Sequence, residues 1–258
     1  LSARYAFTDN FSVKAGFNSM RQYIHKLSNT VIMSPTDTWK LSDVNIKPQR
    51  GWQAAAGLYL NSPSGIWEYS VEGYYKRMSD YLDYRGGAKL LMNHHIETDV
   101  INTQGHAYGV ELQVKKQVGK LNGWMSYTYS RTFLRQNDKR IEKPVNNGDW
   151  YPTEYDKPHD FKFVGNYKFT HRYSMSINVD YSTGRPTTIP AGQYYDESTQ
   201  SMRVYYTERN SYRIPDYFRT DISFNIEPSH HLTLLTHSSI SIGVYNVTGR
   251  KNVYSIYY

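Results

Sequence analysis

The sequence predicts an all-β fold, a partial transmembrane antiparallel β-barrel to which this chain contributes about ten strands. Three observations predict it. Apolar and polar residues alternate in short segments, which is the period of a strand with two different faces. The connections between these segments are alternately very short and very long, as in an outer-membrane barrel. No apolar run approaches the roughly 18 residues of a membrane-spanning helix.

The segment Trp67–Lys76 shows the alternation most clearly. Its odd positions hold Trp, Tyr, Val, Gly and Tyr, whereas its even positions hold Glu, Ser, Glu, Tyr and Lys. Successive side chains of a strand point to opposite faces, so one face here is uncharged and the other carries three charges. An apolar outer face and a polar inner face are what a membrane barrel requires.

The same alternation gives the other strands in chain order. The predicted strands are Leu1–Thr8, Phe11–Asn18, Trp52–Leu60, Trp67–Tyr84, Tyr108–Val118, Leu121–Ser130, Phe161–Phe169, Tyr173–Tyr181, Phe218–Ile226 and Ser239–Val247. The charges concentrate on the face opposite the apolar one. A Lys or Arg that faces lipid at mid-bilayer costs about 2–4 kcal/mol, which explains its exclusion from one face. The alternative is a soluble antiparallel sheet with one solvated face.

The connections give the strands a direction. The long connections are Ser19–Gly51, Arg85–Ala107, Arg131–Asp160 and Ser182–Tyr217. The short ones are Asp9-Asn10, Asn61–Gly65, Gly119-Lys120, Thr170–Arg172 and the somewhat longer Glu227–His237. Outer-membrane barrels have short periplasmic turns and long extracellular loops. By that rule both chain ends lie outside the cell, so we expect at least one further strand on each side of this chain.

Composition supports an envelope protein. The chain has 258 residues with 26 Tyr, and Tyr suits a membrane–water boundary. It has no cysteine, which excludes disulfides, thiolate metal sites and a cysteine nucleophile. The net charge is +7, but the basic residues are scattered, so the sequence disfavours nucleic-acid binding.

Several motifs, by their order and spacing, resemble the C-terminal part of TonB-dependent outer-membrane receptors, particularly those of Bacteroidota. They are Asn45–Arg50, Gly109–Leu112, Leu121–Ser130, Asn147–Pro152, Tyr155–Asp160, Arg213–Asp221 and Tyr245–Asn252. The resemblance implies a barrel of about 22 strands filled by an N-terminal plug. Residues 1–258 would then be a C-terminal portion of one barrel domain, roughly strands 12 to 21. The plug, the TonB-contacting segment and the closing strand are expected to lie outside it.

The long loops hold the candidate substrate-binding residues. Tyr and Arg on loops stack on sugars, chelator rings or peptide side chains and pair with anions. The candidates are Trp150, Tyr151, Tyr155, Tyr194, Tyr195, Arg203, Tyr205, Tyr206 and Arg209. Alternatively, these tyrosines pack the loops together or form the outer aromatic girdle.

Two further motifs admit other chemistry. The pairs His94-His95 and His230-His231 could suggest metal ligands, but neighbouring strand residues point to opposite faces and rarely share one ion. Asp156, His159 and Asp160 could suggest an acid–base group at a barrel rim, although a turn into the next strand explains them as well. We therefore predict no metal, no cofactor, no catalytic residue and no enzymatic activity.

The resemblance implies import of a large, scarce nutrient across the outer membrane of a Gram-negative bacterium. The substrate could be siderophore–iron, cobalamin, a glycan or a peptide. The implied partners are outer-membrane lipid, the plug domain, the TonB complex and, as one option, a surface lipoprotein. The alternatives are a passive porin-like channel, an outer-membrane protease, or a receptor-like scaffold in an envelope assembly.

Overall fold

The computed structural model describes residues 1–27, 38–44, 46–84, 100–136, 144–197, 200–227 and 239–253, and its regular secondary structure is almost entirely β-strand. The strands are β1 (Ser2–Ala6), β2 (Phe11–Gln22), β3 (Ile24–Leu27), β4 (Thr38–Leu41), β5 (Gln49–Asn61), β6 (Trp67–Tyr84), β7 (Val100–Lys116), β8 (Leu121–Gln136), β9 (Tyr151–Pro152), β10 (His159–Lys168), β11 (Tyr173–Ser182), β12 (Pro186–Thr187), β13 (Pro190–Asp196), β14 (Ser201–Tyr206), β15 (Tyr212–Arg213), β16 (Tyr217–Ile226) and β17 (Ile240–Val244). A 3-10 turn covers Val145–Gly148.

One antiparallel sheet holds eleven of the strands. Its order is β1-β2-β5-β6-β7-β8-β10-β11-β16-β17, with β9 added to β8. The small pairs β3–β4, β12–β15 and β13–β14 stand apart from it. Each main strand therefore pairs with its neighbours in sequence, as in an up-and-down barrel wall, and the described wall is open rather than closed.

The ten predicted strands are confirmed, but several are longer than the alternation indicated. β7 begins at Val100 instead of Tyr108, β8 continues to Gln136 instead of Ser130, and β2 continues to Gln22 instead of Asn18. All three extensions lie at the end of the sheet with the long connections, here called the loop end. In these extensions the residues on the two faces no longer differ in polarity, although the backbone pairing continues. Hydropathy alone therefore could not predict the extensions. Three predicted loops, 19–51, 131–160 and 182–217, also contain short strands.

The register confirms the two-faced wall. Val71 lies opposite Leu58 and Leu112, whereas Glu72 lies opposite Gly57 and Glu111. Directly opposed residues project from the same face of a sheet. Val71, Leu58 and Leu112 are 41%, 48% and 40% exposed, so this face packs against nothing within the described residues. Apolar side chains left open along a whole wall are those of a surface that contacts lipid.

Aromatic pairs lie at both ends of the apolar face. At the end with short connections, the turn end, Phe7 stacks on Phe11 at 5.4 Å and Trp67 on Tyr69 at 6.2 Å. At the loop end Trp52 contacts Phe17 at 6.1 Å and Tyr75 at 5.6 Å. Aromatic girdles at two levels are typical of the two membrane–water interfaces of a barrel.

A β-bulge interrupts β6 at the loop end. Met78 pairs with Gly105, but Tyr81 pairs with Thr103, so β6 has one residue more than β7 between these pairs. Asp80 within the bulge has a φ of 55° and pairs with Arg50 at 2.9 Å. One extra residue exchanges the faces of all residues beyond it. Tyr81 and Asp83 therefore project from the polar face, on which even-numbered residues such as Glu72 lie below the bulge.

Among the residues that the structure describes, no helix has the length and apolar character needed to cross a membrane. The buried hydrophobic side chains are few, and they lie at the loop end. They are Ile46, Ile101, Ala107, Leu134 and Tyr151. The small core therefore supports the loops and does not fill the inside of the wall.

Candidate functional site

A largely shielded cluster forms on the polar face at the loop end, where two long connections meet the extended strands. It consists of Tyr81, Asp83, Tyr151, Glu154 and Arg209 and is here called the Asp83 cluster. The bulge turns Tyr81 and Asp83 toward this face, and pairing of β9 with β8 places Tyr151 beside Leu134 on the same face. The cluster thus joins β6, the 144–156 connection and the 207–216 connection.

Asp83 is the centre of this cluster. The Arg209 guanidinium donates through Nη1 to Asp83 Oδ2 at 2.7 Å, and the Tyr151 hydroxyl donates to the same oxygen. The side chains of Asp83 and Arg209 are each 18% exposed, so the ion pair is largely shielded from water. Burial and the neighbouring Asp83 carboxylate raise the pKa of the Tyr151 hydroxyl, which therefore stays protonated and able to donate.

Glu154 adds a second carboxyl group close to the first. Burial raises the pKa of Glu154, the Asp83 charge raises it further, and Arg209 and Arg185 partly oppose both effects. Burial also raises the pKa of Tyr81 to about 12, with contributions from Tyr155, Asp83 and Glu154. Carboxyl and phenol groups with shifted pKa values in one place are a feature of functional sites, although structural networks share it.

Two asparagines hold the connections around the cluster. The Arg209 backbone N–H donates to Asn146 Oδ1 at 2.7 Å, and Asn146 Nδ2 donates back to the Arg209 carbonyl at 3.1 Å. Asn210 Nδ2 donates to the Pro152 carbonyl at 2.8 Å. Both asparagines have positive φ, 48° and 55°, a region that Asn tolerates better than most residues. The two connections are therefore fastened to each other and not only to the wall.

A second junction surrounds Asp156, whose side chain is fully buried. Its Oδ1 accepts from the Thr132 backbone N–H at 2.8 Å and from Arg131 Nε at 3.3 Å. Its Oδ2 accepts from Arg213 Nη2, while Arg213 Nη1 donates to the carbonyls of Asp156 and Gly184 at 2.7 and 2.9 Å. Both carboxylate oxygens of Asp156 thus accept hydrogen bonds that hold the connections together.

The contacts made by Asp156 in this junction leave it without a contact to His159. Asp156 contacts the two arginines and a backbone amide, whereas His159 Nδ1 lies 2.8 Å from the Tyr127 hydroxyl. His159 also lies opposite Tyr129, on the apolar face. The two residues therefore do not form a catalytic dyad, which argues against the protease alternative.

The structure separates the nine predicted site residues into three groups. Tyr151 and Arg209 meet at Asp83, and Tyr155 lies near Tyr81 with 60% of its surface exposed. Trp150 contacts His106 edge-on at 4.4 Å. Since His106 lies on the apolar face beside Tyr108, this placement favours the aromatic-girdle interpretation for Trp150.

The third group lies on the hairpin β13–β14, here called the projecting hairpin. Tyr194, Tyr195, Tyr205 and Tyr206 are 50%, 58%, 64% and 42% exposed. The backbone of Arg203 pairs with Tyr194, but its side chain lies outside the described part of the structure. The His94-His95 and His230-His231 pairs also lie outside the described residues. The hairpin base is closed by the Thr207 N–H, which donates to the Ile189 carbonyl at 3.1 Å.

Sequence reasoning missed Tyr81, Asp83, Glu154, Asn146 and Asn210. The Asn146-Asn147-Gly148 run was a usable signal, because consecutive Asn and Gly residues favour turns with positive φ. Asp83 could not be found in the same way. Its inward direction depends on the bulge, and no residue pattern in β6 marks the bulge.

The fold and the site together define an outer-membrane β-barrel wall with an elaborated loop end. The family model described as "TonB dependent receptor-like, beta-barrel" matches residues 1–247. The chain therefore belongs to the TonB-dependent receptor family. Receptors of this family are transporters of the Gram-negative outer membrane and not enzymes, as the sequence predicts.

Solved structures of such receptors have the same fold. The ferripyoverdine receptor of Pseudomonas aeruginosa is 13% identical, with a TM-score of 0.58 over 96% of this chain and 28% of its own. The ferric-catecholate import receptor Fiu of E. coli is 14% identical, with a TM-score of 0.58, 96% coverage of this chain and 30% of its own. The E. coli transporter YddB is 12% identical, with a TM-score of 0.58, 96% coverage of this chain and 36% of its own.

The chain thus spans about a third of the length of the receptors that it matches. None of the curated proteins compared by sequence matches it. The resemblance to members from Bacteroidota in particular remains a prediction.

Proposed function

We propose that the protein carrying this chain imports a large, scarce nutrient through a plugged barrel, with energy supplied by the TonB complex. The observation that carries this proposal is the construction of the loop end. The Asp83 cluster and the junction around Asp156 together form a base, here called the fastened base, that supports a hairpin with exposed tyrosines. Passive diffusion of small solutes needs no such platform.

The polar face beneath this base supports the same proposal. Along the wall it presents Arg4 and Lys14 on β1 and β2, Glu72 and Glu111 on β6 and β7, and Asp160 on β10. Charged side chains on the inner face keep an interior wet and can hold a plug domain by ion pairs and hydrogen bonds. Residues 1–258 would then be a C-terminal portion of that barrel.

The projecting hairpin is the proposed capture element. Tyr194, Tyr195, Tyr205 and Tyr206 offer rings and hydroxyls with little conformational entropy to lose on binding. Tyr155 lies at the edge of the Asp83 cluster and would contact the same ligand from below. Such a surface suits a chelate, corrin, sugar or peptide, and these four substrate classes remain alternatives.

Uptake by the full-length gene product tests the proposal. The gene would be expressed in an outer-membrane host, with and without a functional TonB complex. Labelled ferric siderophores, cobalamin, oligosaccharides and peptides would be offered at nanomolar concentration. We expect accumulation of one class in the energised host and loss of that accumulation without TonB.

A variant in which Pro190–Tyr206 is replaced by Asn-Gly serves as the matched probe of capture. The base bond between Thr207 and Ile189 allows a two-residue turn at this place. We expect the variant to reach the membrane but to lose high-affinity binding. Equal uptake with and without TonB would instead indicate a porin-like channel.

A further inference from the structure

The apolar face carries a patch of arginines just above its loop-end aromatic girdle. Arg21 lies directly opposite Arg50, and Trp52, the next residue of β5 on this face, lies opposite Arg77. Opposed residues share one face, so the three guanidinium groups leave the wall on the side that contacts lipid. Arg21 and Arg77 are exposed, and the Arg50 side chain is 60% exposed.

The stability of the fold does not explain this patch. Like charges placed directly opposite each other on neighbouring strands are destabilising, and Arg21 and Arg50 are so placed. Asp80 pairs with Arg50 at 2.9 Å, but neither Arg21 nor Arg77 has a hydrogen bond or ion pair within the described residues. The patch therefore has two unmatched positive charges.

The other end of the same face differs. In the strands of the main sheet, the register places one charged residue at the turn end of this face, Lys116, whose Nζ lies 5.5 Å from the Trp67 ring centre. Within the described strands of the main sheet, positive charge on this face is thus concentrated at the loop end. A general need for solubility would not produce this asymmetry.

The height of the patch matches a headgroup layer. Trp67 and Arg77 lie on one strand, ten residues apart, which corresponds to about 33 Å along the strand. At a strand tilt of roughly 40°, this is about 25 Å along the membrane normal, the height of the apolar band of outer-membrane barrels. Arg77 therefore lies at the upper edge of the hydrocarbon, and Arg21 and Arg50 lie one row higher.

We infer that this patch binds the phosphate groups of a phosphorylated lipid in the outer leaflet. Guanidinium groups bind phosphate through paired, charge-assisted hydrogen bonds, and long arginine side chains reach a headgroup from an apolar wall. The rings of Phe17 and Tyr75 lie one row below Arg77, Trp52 lies beside it and contacts both rings, and the three would contact the sugar or upper acyl portion of that lipid. The lateral direction of the arginines favours a lipid over a dissolved anion.

The test compares two matched pairs of substitutions in the full-length gene product. Arg21→Gln with Arg77→Gln removes the two unmatched charges of the patch. Lys14→Gln with Lys76→Gln removes two charges from the same strands on the opposite face. Folding of both variants is checked by the mobility shift of the unheated barrel on gels.

Each protein would be placed in nanodiscs containing bis-phosphorylated glycolipid, the same glycolipid without phosphates, or zwitterionic lipid alone. Native mass spectrometry would count the retained lipid, and a titration would give its affinity. We expect the arginine variant to bind the phosphorylated glycolipid about 30-fold more weakly, from about 1 kcal/mol per arginine near the surface. The lysine variant should bind as the unmodified protein does.

Equal affinities of the two variants would overturn the inference, as would equal retention of the dephosphorylated glycolipid. Inorganic phosphate would be added as a competitor in a third experiment. Displacement of the lipid by low millimolar phosphate would assign the patch to a dissolved anion and not to a lipid.

Discussion

The fastened base and the projecting hairpin belong to the same end of the molecule but are built in opposite ways. The base contains a largely shielded carboxylate, Asp83, and a fully buried one, Asp156, each held by arginine from a distant part of the chain. The hairpin contains exposed tyrosines, and within the described residues its two strands pair only with each other. The difference shows that neighbouring segments of one loop region can differ in role. The base maintains the shape of the loop end, and the hairpin exposes side chains that a ligand can contact.

Replacing Asp156 should have the largest effect on the base. Asp156→Ala leaves Arg131 and Arg213 without their carboxylate and removes an acceptor from the Thr132 N–H. Breaking such a buried pair costs about 3–5 kcal/mol, and the partial exposure of both arginines reduces this to about 2–4 kcal/mol here. Hydrogen exchange of residues 150–158 and 210–216 would measure it. Asp149→Asn in the same connection is the control, and equal protection in both variants would contradict the prediction.

Asp83→Asn should have the next largest effect. It removes the ion pair with Arg209, and we expect a loss of about 2–3 kcal/mol in local opening free energy around Arg209. Asp80→Asn is a close control, because Asp80 lies on the same strand and also pairs with an arginine, but its partner is exposed. That pair should contribute less than about 1 kcal/mol. Similar losses in both variants would mean that burial of the cluster is unimportant.

The hairpin should tolerate changes that the base does not. Tyr194→Ser and Tyr205→Ser expose no cavity, so each should change stability by less than about 0.5 kcal/mol. The same two substitutions should weaken substrate binding strongly. Protease added to intact cells should cut within 190–206 before it cuts within 144–156 or 207–216. Earlier cleavage in the base would reverse the proposed division between the two segments.

The smallest effect concerns the pH dependence of the base. The pKa of Glu154 is raised by burial and by Asp83, so its folded form favours the protonated carboxyl. The stabilising contribution of Glu154 is therefore complete below its unfolded pKa and is lost as pH rises through its folded pKa. Exchange protection of the Asp83 cluster should thus increase as pH falls toward 4.5, and Glu154→Gln should flatten this dependence. A Glu154→Gln variant with an unchanged pH profile would show that another group titrates.

The wall could be predicted from sequence because one of its faces contacts lipid and the other contacts water. The ten main strands of the wall carry that contrast over the parts that the alternation predicted, and the register agrees with it strand by strand. The base could not be predicted because its residues are paired over long distances. Asp83 and Arg209 are 126 residues apart, and nothing near either one indicates the other. Trp150 shows the same limit, since only the contact with His106 reveals which side of the wall it faces.

The single extra residue at Asp80 has a consequence for how such a receptor can diversify. It reverses which residues of β6 face each side of the wall. Odd-numbered residues below it must therefore be apolar to contact the bilayer, whereas odd-numbered residues above it can be polar. Substitutions at Tyr81 and Asp83 can therefore change the structure of the loop end without altering the hydrocarbon-facing stripe. Deletion of this residue would remove the reversal, and the Asp83 carboxylate would then project toward the lipid headgroups.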